Sequence, residues 1–218
     1  MSSIFDCTDP EQRGAGIRMA VGAAKSGRLI VMPTDTLYGI GCDAFDSEAV
    51  GALLAAKGRG RDMPVPVLVG SWHTVDGLVL GVGSQTRDLV EAFWPGGLSL
   101  VVEQAPSLAW DLGDTDGTVM LRMPLHPVAI EILREVGPMA VSSANVSGQP
   151  PATTMAAARD QLGEEIAVYL DGGTSPKAEA STIVDMTGRS PRVLREGAVS
   201  TAAIAEVLDL DPASLVSS

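Results

Sequence analysis

The apolar run Met139, Ala140, Val141 breaks off into Ser142, Ser143, Asn145 and Ser147, and then into Gly148, Pro150 and Pro151. No other stretch constrains the chain as much. The apolar residues read as a short buried strand. Hydroxyls and an amide crowded at its end, followed by Gly and Pro, can neither extend a ladder nor start a helix at once. Such a loop suits an anion or a nucleotide, because short polar side chains and backbone N–H groups converge where glycine lets the chain come close. Taken alone, the pattern is more often only a polar turn whose hydroxyls satisfy their own backbone.

The chain around it has 218 residues, 45% of them hydrophobic and 4% aromatic, which is enough to bury a sizeable core. The reading is one domain over 1–209 with a frayed tail over 210–218. Asp6, Asp9 and Glu11 come early, where a targeting signal would need positive charge. No apolar run reaches the length of a membrane span. Cys7 and Cys42 lack metal spacing and cannot build a disulfide framework, so a reducing cytoplasm is the expected location. A net charge of −12 argues against a surface made to coat nucleic acid, yet a local basic cleft remains compatible with it.

Read in order, 10–26 is a helix with Ile17, Ala20, Val21 and Ala24 on one face and Gly27 as its C-cap. Strand 28–32 is broken by Pro33 and the turn Thr34, Asp35, Thr36, and strand 37–42 follows. Asp46 or Ser47 caps a helix to Lys57, after which Lys57, Arg59 and Arg61 stand spaced by glycines. Those cations either complement the negative end of the helix dipole or form a phosphate or carboxylate site. Strand 65–69 contains Pro66, which would suit an edge or bulge. Helix 84–93 closes at Trp94, a packing anchor, and strand 98–103 follows. The acidic stretch 110–118 reads as a surface excursion. Strand 118–123 carries Arg122, either on a solvated edge or as a ligand clamp. Helix 126–136 has Pro127 in its first turn. After the 139–151 region come a helix capped by Thr153 or Thr154, strand 167–170, a turn at 171–173, strands 181–186 and 192–195 about a hairpin-like turn, and helix 202–208.

Helices and strands alternate with short connections, which argues for a three-layer α/β domain. The hairpin-like pairs at 30–42 and 181–195 argue for a mixed sheet. Ligands of such sheets sit at strand ends, and polar strand ends recur at Thr34–Thr36, Arg122, Ser143–Asn145 and Arg195. The chain has no Rossmann glycine fingerprint, no Walker Gly-Lys-Ser/Thr and no nucleophile elbow. His73 and His126 lie far from any Cys or Glu at metal spacing and read as surface histidines. An ordinary dehydrogenase, P-loop ATPase, zinc hydrolase or esterase is therefore not expected.

Several stretches together resemble one family. They are 33–39 (Pro-Thr-Asp-Thr-Leu-Tyr-Gly), Lys57 and Arg59 followed by Pro64, 94–99 (Trp-Pro-Gly-Gly-Leu-Ser), and 122–124 (Arg-Met-Pro) leading on to 142–148 (Ser-Ser-Ala-Asn-Val-Ser-Gly). The weaker pair 181–185 with 193–197 continues the same order. The chain thereby resembles the YrdC family of L-threonylcarbamoyladenylate synthases over roughly 10–208, in its short single-domain bacterial form. The resemblance implies a twisted, mixed sheet of about seven strands, flanked by helices and with an open cleft. It implies that L-threonine, bicarbonate and ATP, with Mg2+, give threonylcarbamoyl-AMP and pyrophosphate. A separate tRNA threonylcarbamoyl transferase complex would receive the product, to modify adenosine beside the anticodon.

Physical chemistry agrees with such a reaction. Carboxylated threonine and the α-phosphate are both anionic, so the site needs fixed cations and donors, plus a metal on the departing pyrophosphate. Carried onto this sequence, Lys57 and Arg59 would hold triphosphate and carboxylate charge, and Arg195 a further phosphate. Thr118, Ser143, Asn145 and Thr153 would hydrogen-bond the nucleotide, with Ser143 also bridging to threonine. Thr36, Arg122 and Ser181 would fix the amino acid, Arg122 by its carboxylate. No metal ligand is expected from protein side chains. Positioning and electrostatics suffice, so no covalent enzyme intermediate is expected.

The chain departs from the family pattern at Gly60, where Pro is usual, at Met63, where a basic or amide residue is common, and at Leu68, where His is frequent; Pro66 is also unusual. These changes bear on the shape of the threonine pocket. One rival reading is a module of the same fold that binds RNA in ribosome maturation, against which the low pI, near 4.5, weighs; tRNA or RNA contact through a basic cleft would be weak and sensitive to salt. Another is a paralogue forming a carbamoyl-adenylate for hydrogenase maturation, which normally carries zinc-finger and acylphosphatase-like segments.

Overall fold

The computed structural model describes residues 2–176 and 179–216. Side-chain caps set many of the helix starts. Asp9 accepts from the Glu11 N–H at 2.9 Å and starts α1 (Pro10–Ala24), with Pro10 in the first turn where a missing N–H costs nothing. Asp46 accepts from Ala49 at 3.0 Å and starts α2 (Ser47–Lys57), which ends on Gly58 in the left-handed conformation. Helices α3 (Ser84–Phe93), α4 (Pro127–Val136), α5 (Met155–Leu162) and α6 (Thr201–Leu208) follow, Thr154 capping α5 and Ser200 capping α6. Gly27 is not the C-cap of α1: the helix ends two residues earlier at Lys25, and Gly27, at φ +70°, turns the chain into the first hairpin.

The strands are β1 (Ser3–Asp6), β2 (Ile30–Met32), β3 (Gly39–Asp43), β4 (Val67–Leu68), β5 (Leu98–Glu103), β6 (Thr118–Arg122), β7 (Met139–Ser143), β8 (Val168–Asp171), β9 (Thr182–Asp185) and β10 (Arg192–Arg195). They form one mixed sheet in the order β1-β8-β2-β3-β7-β4-β6-β5-β9-β10. The two hairpins read from sequence, β2–β3 and β9–β10, are antiparallel. The sheet has ten strands rather than about seven. β1 is only four residues, with Ile4 and Phe5 set between Ser3 and Asp6, too short for a periodic pattern to mark, and it pairs in parallel with β8. β4 is an interior strand between β6 and β7, not an edge. Pro66 is tolerated beside it because only its carbonyl is needed, accepting from Val141 at 2.9 Å.

The two faces of the sheet are covered unequally, and this makes the cleft. One face carries a large core to which α2, α3, α5 and α6 contribute. The other carries a smaller core in which Ile17, Ala20, Ile132 and Leu133 of α1 and α4 meet Ile30, Met32, Leu68, Met139, Val141, Val168 and Leu170. Every buried strand residue of that smaller core lies on β2, β4, β7 or β8, with Phe5 of β1 packed against it. Side chains alternate across a strand, so Met120 and Arg122 of β6, Ser99 of β5 and Ile183 of β9 point to the same side, where neither α1 nor α4 covers them.

The described part of the tail, 210–216, is packed against the domain. Asp211 caps a short helix α7 (Pro212–Leu215), and Leu215 is fully buried in the larger core. Apolar burial there outweighs the entropy of a chain end. Ser217 and Ser218 lie outside the described residues. Among the described residues, no helix is long and apolar enough to cross a membrane.

Candidate active site

The cleft has a volume of about 280 Å³ and opens at the end of β6. Arg59, Arg122 and Arg195 line it together with Thr36, Ser143 and Ser181, and no carboxylate is among the described residues that line it. In a chain of net charge −12, this places a concentration of positive charge in one concave site.

Arg122 is not on a solvated edge: it is buried and held by three partners. Its Nη2 donates to Asp35 Oδ1 at 2.7 Å, its Nη1 to Thr36 Oγ1 at 2.8 Å and its Nε to the Gly96 carbonyl at 2.8 Å. The second glycine after Trp94 packs where a side chain would not fit: a Cβ on Gly97 would lie 2.6 Å from that of Ala198. Trp94 itself is buried, its indole N–H donating to the Leu98 carbonyl at 2.8 Å. A guanidinium has five N–H donors, so one remains on each terminal nitrogen of Arg122. Arg122 lines the cleft, where such donors suit an anion. Burial lowers the pKa of Arg122 while Asp35 opposes that shift.

Arg195, on the edge strand β10, donates to the Ser181 carbonyl at 2.7 Å, and Ser181 Oγ shares a 2.9 Å hydrogen bond with Ser99 Oγ. Arg59 donates from Nε to Ser147 Oγ at 3.0 Å and from Nη1 to Ser142 Oγ at 3.4 Å, so it lies across the 142–147 loop. Arg61, the third cation of the glycine-spaced group, turns away and pairs with Asp111 and Asp114.

Four expected residues do not line the cleft. Lys57 is fully buried and donates to the main-chain carbonyls of Ser143 and Asn145. Asn145 spends its amide on the Val146 and Gln149 carbonyls at 2.9 and 2.8 Å, so it orders the loop from within. Thr118 donates to the Thr115 carbonyl at 2.8 Å, four residues from Arg122 on β6. Thr153, beside the cap of α5, accepts through its carbonyl from the Ser175 N–H at 2.8 Å. His126 is not a surface histidine. It is half-buried beside Pro33 and Gly172, its Nδ1 has no hydrogen-bond partner among the described residues, and burial lowers its pKa.

Sequence reasoning missed Asp35, Ser99 and Ser142. Asp35 was visible as turn chemistry, but its partner is 87 residues away. Ser99 had a signal, a lone hydroxyl in an otherwise apolar strand. Gly60 stands where a Cβ would meet Asp62 Oδ1 at 2.4 Å, and Met63 is exposed on the same loop. Pro66 and Leu68 both line the cleft, where they make part of its wall apolar.

The model of the Sua5/YciO/YrdC family, described as telomere recombination, matches residues 22–197. The chain belongs to this family. Members at high identity include the putative threonylcarbamoyl-AMP synthases of Mycobacterium tuberculosis, 70% identical over 99% of both chains, and of Mycobacterium leprae, 68% identical over 99% of this chain and 98% of that one. Among solved members, Sua5 of P. abyssi complexed with L-threonine superposes with a TM-score of 0.88 at 30% identity. That match covers 95% of this chain and 61% of the archaeal one, so this chain spans about three fifths of its length.

Proposed function

We propose that this chain is an L-threonylcarbamoyladenylate synthase, converting L-threonine, bicarbonate and ATP to threonylcarbamoyl-AMP and pyrophosphate. One observation carries the reading: three arginines converge with serine and threonine hydroxyls on a cleft whose described lining holds no carboxylate. The names of the mycobacterial relatives and the threonine complex of the archaeal one support it.

The chemistry fits the donors present. Bicarbonate and the threonine amine condense with loss of water to an N-carboxylate. A carboxylate oxygen then attacks the α-phosphorus, and the bond to the β-phosphate oxygen breaks to release pyrophosphate. The N-carboxylate, ATP, threonylcarbamoyl-AMP and pyrophosphate are all anions, so fixed cations supply the main stabilisation. The remaining donors of Arg122 take the threonine α-carboxylate, and Thr36 and Ser181 fix the rest of the amino acid. Arg59 and Arg195 approach from the 142–147 loop and from β10 to hold phosphate oxygens, and Ser143 lies between the two substrates. Thr118, on the same face of β6 as Met120 and Arg122, is where a nucleotide extending along the strand would arrive, and Thr153 would meet it two residues beyond Pro151 of the lining. Asn145 acts from inside the loop.

Mg2+ would neutralise the departing pyrophosphate. The lining offers hydroxyls but no carboxylate, and no cluster of three or more metal-ligating side chains occurs among the described residues. The ion would enter with the triphosphate, held by its oxygens and water. The product would pass to a tRNA threonylcarbamoyl transferase complex in the cytoplasm.

The test is pyrophosphate release from ATP with magnesium and bicarbonate, with and without L-threonine. Release that depends on threonine is expected. A folded protein that binds ATP but shows no such release would overturn the reading.

A further inference from the structure

The last residue of α2 is a lysine, ordinarily a solvated partner of the helix's negative end. Here the side chain turns inward and is 0% exposed. An ammonium has three N–H donors and no acceptor. Nζ of Lys57 finds three oxygens, all from one loop: the Ser143 carbonyl, the Asn145 carbonyl at 2.7 Å and Asn145 Oδ1 at 3.5 Å. Two N–H groups are spent on main-chain carbonyls, the third faces Asn145 Oδ1 at a longer distance, and the side chain is not among those that line the cleft.

The remaining contacts join the same two segments. The Lys57 carbonyl accepts from the Ser147 N–H at 2.9 Å, and Arg59 reaches Ser147 and Ser142. The far side of the loop is held by the Ala144 N–H, which donates to the Tyr38 carbonyl at 2.8 Å. The Tyr38 hydroxyl in turn donates to the Gly173 carbonyl at 2.6 Å. Ser143 is thus suspended between the end of α2 and the strand that follows the Thr34–Thr36 turn. A charged donor in a buried setting strengthens the hydrogen bonds it makes to carbonyls.

We propose that Lys57 is a positioning residue: its ammonium holds the Ser142–Ser147 loop in the shape that presents Ser143 to both substrates, and it does not itself touch a bound anion. This rests on the synthase reading for the identity of the substrates, but its test does not need turnover.

Two experiments on the full chain decide it. In Lys57→Met, which keeps the stem and removes the donors, calorimetry reads the affinities for ATP, AMP and L-threonine separately. A positioning role weakens ATP and AMP by the same factor, within about threefold, and weakens threonine as well. A direct phosphate contact would weaken ATP about tenfold or more beyond AMP and leave threonine unchanged, which would overturn the proposal, as would three unchanged affinities. Amine-directed footprinting of the wild type guards against a variant that does not fold. Lys57 stays unlabelled with and without ATP while exposed Lys25 reacts. A Lys57 that labels as fast as Lys25 and is protected only by ATP would overturn the proposal. If the wild type releases no threonine-dependent pyrophosphate, the synthase reading fails, while footprinting and nucleotide affinities still decide the role of Lys57.

Discussion

Arg122 Nη2 and Asp35 Oδ1 lie 2.7 Å apart, with only 8% and 9% of their side chains exposed. The pair spans 87 residues and ties the turn after β2 to the end of β6. It keeps a guanidinium charged and aimed at the cleft in a setting where burial alone would disfavour the charge. Asp35 also accepts from the Leu125 N–H at 2.9 Å, so one carboxylate holds both the guanidinium and the chain beyond it.

Asp35→Ala strands a buried guanidinium and is expected to cost about 3–5 kcal/mol in urea unfolding. Replacing both partners, Asp35→Leu with Arg122→Met, recovers most of that stability but abolishes threonine-dependent pyrophosphate release. Equal stability for the single and double variants would show that the pair is not the reason.

Arg59→Ala removes a charge-assisted contact worth roughly 1.5–3 kcal/mol and should slow turnover by about one to two decades. Its unfolding midpoint should stay near that of the wild type, because the side chain binds only loop hydroxyls. Wild-type turnover would remove Arg59 from the site.

Burial, reinforced by the nearby Arg59 guanidinium, pushes the Lys57 ammonium down to about 8 from an ordinary 10.5. Between those values the unfolded chain holds a proton that the folded chain has released, so this group makes stability rise with pH. The difference in unfolding free energy between the wild type and Lys57→Met should therefore shift in favour of the wild type from pH 7.5 to pH 10. A shift in the opposite direction would contradict the lowered value.

Leu215→Ala tests whether the end of the chain is part of the core. Truncating a fully buried leucine costs about 2–5 kcal/mol, and the low end is expected for a terminal helix. A change under about 0.5 kcal/mol is what a frayed tail would give.

Chelating magnesium should stop pyrophosphate release while leaving the thermal midpoint of the free protein unchanged. No cluster of three or more metal-ligating side chains occurs among the described residues. A falling midpoint would reveal a structural ion held by the protein.

The sequence by itself determined the layer architecture, most of the element boundaries and the polar strand ends, because helix caps, periodicity and proline or glycine breaks are local. Helix α3 occupies 84–93 as its pattern predicts, and Asp46 and Thr154 cap where their residue types suggest. The motifs carried by Thr36, Arg59, Arg122, Ser143, Ser181 and Arg195 named residues that the fold brings to one cleft. Only the tertiary structure decided which cations face that cleft. Lys57 and Arg59 are two residues apart and alike in charge, yet one points inward to backbone carbonyls and the other lies across the loop. That choice depends on where β7 ends relative to α2, a contact across 86 residues that no local pattern encodes. The same holds for β1, the interior place of β4 and the buried Leu215. Each is set by pairing or packing with a distant segment, and local propensity yields to burial there.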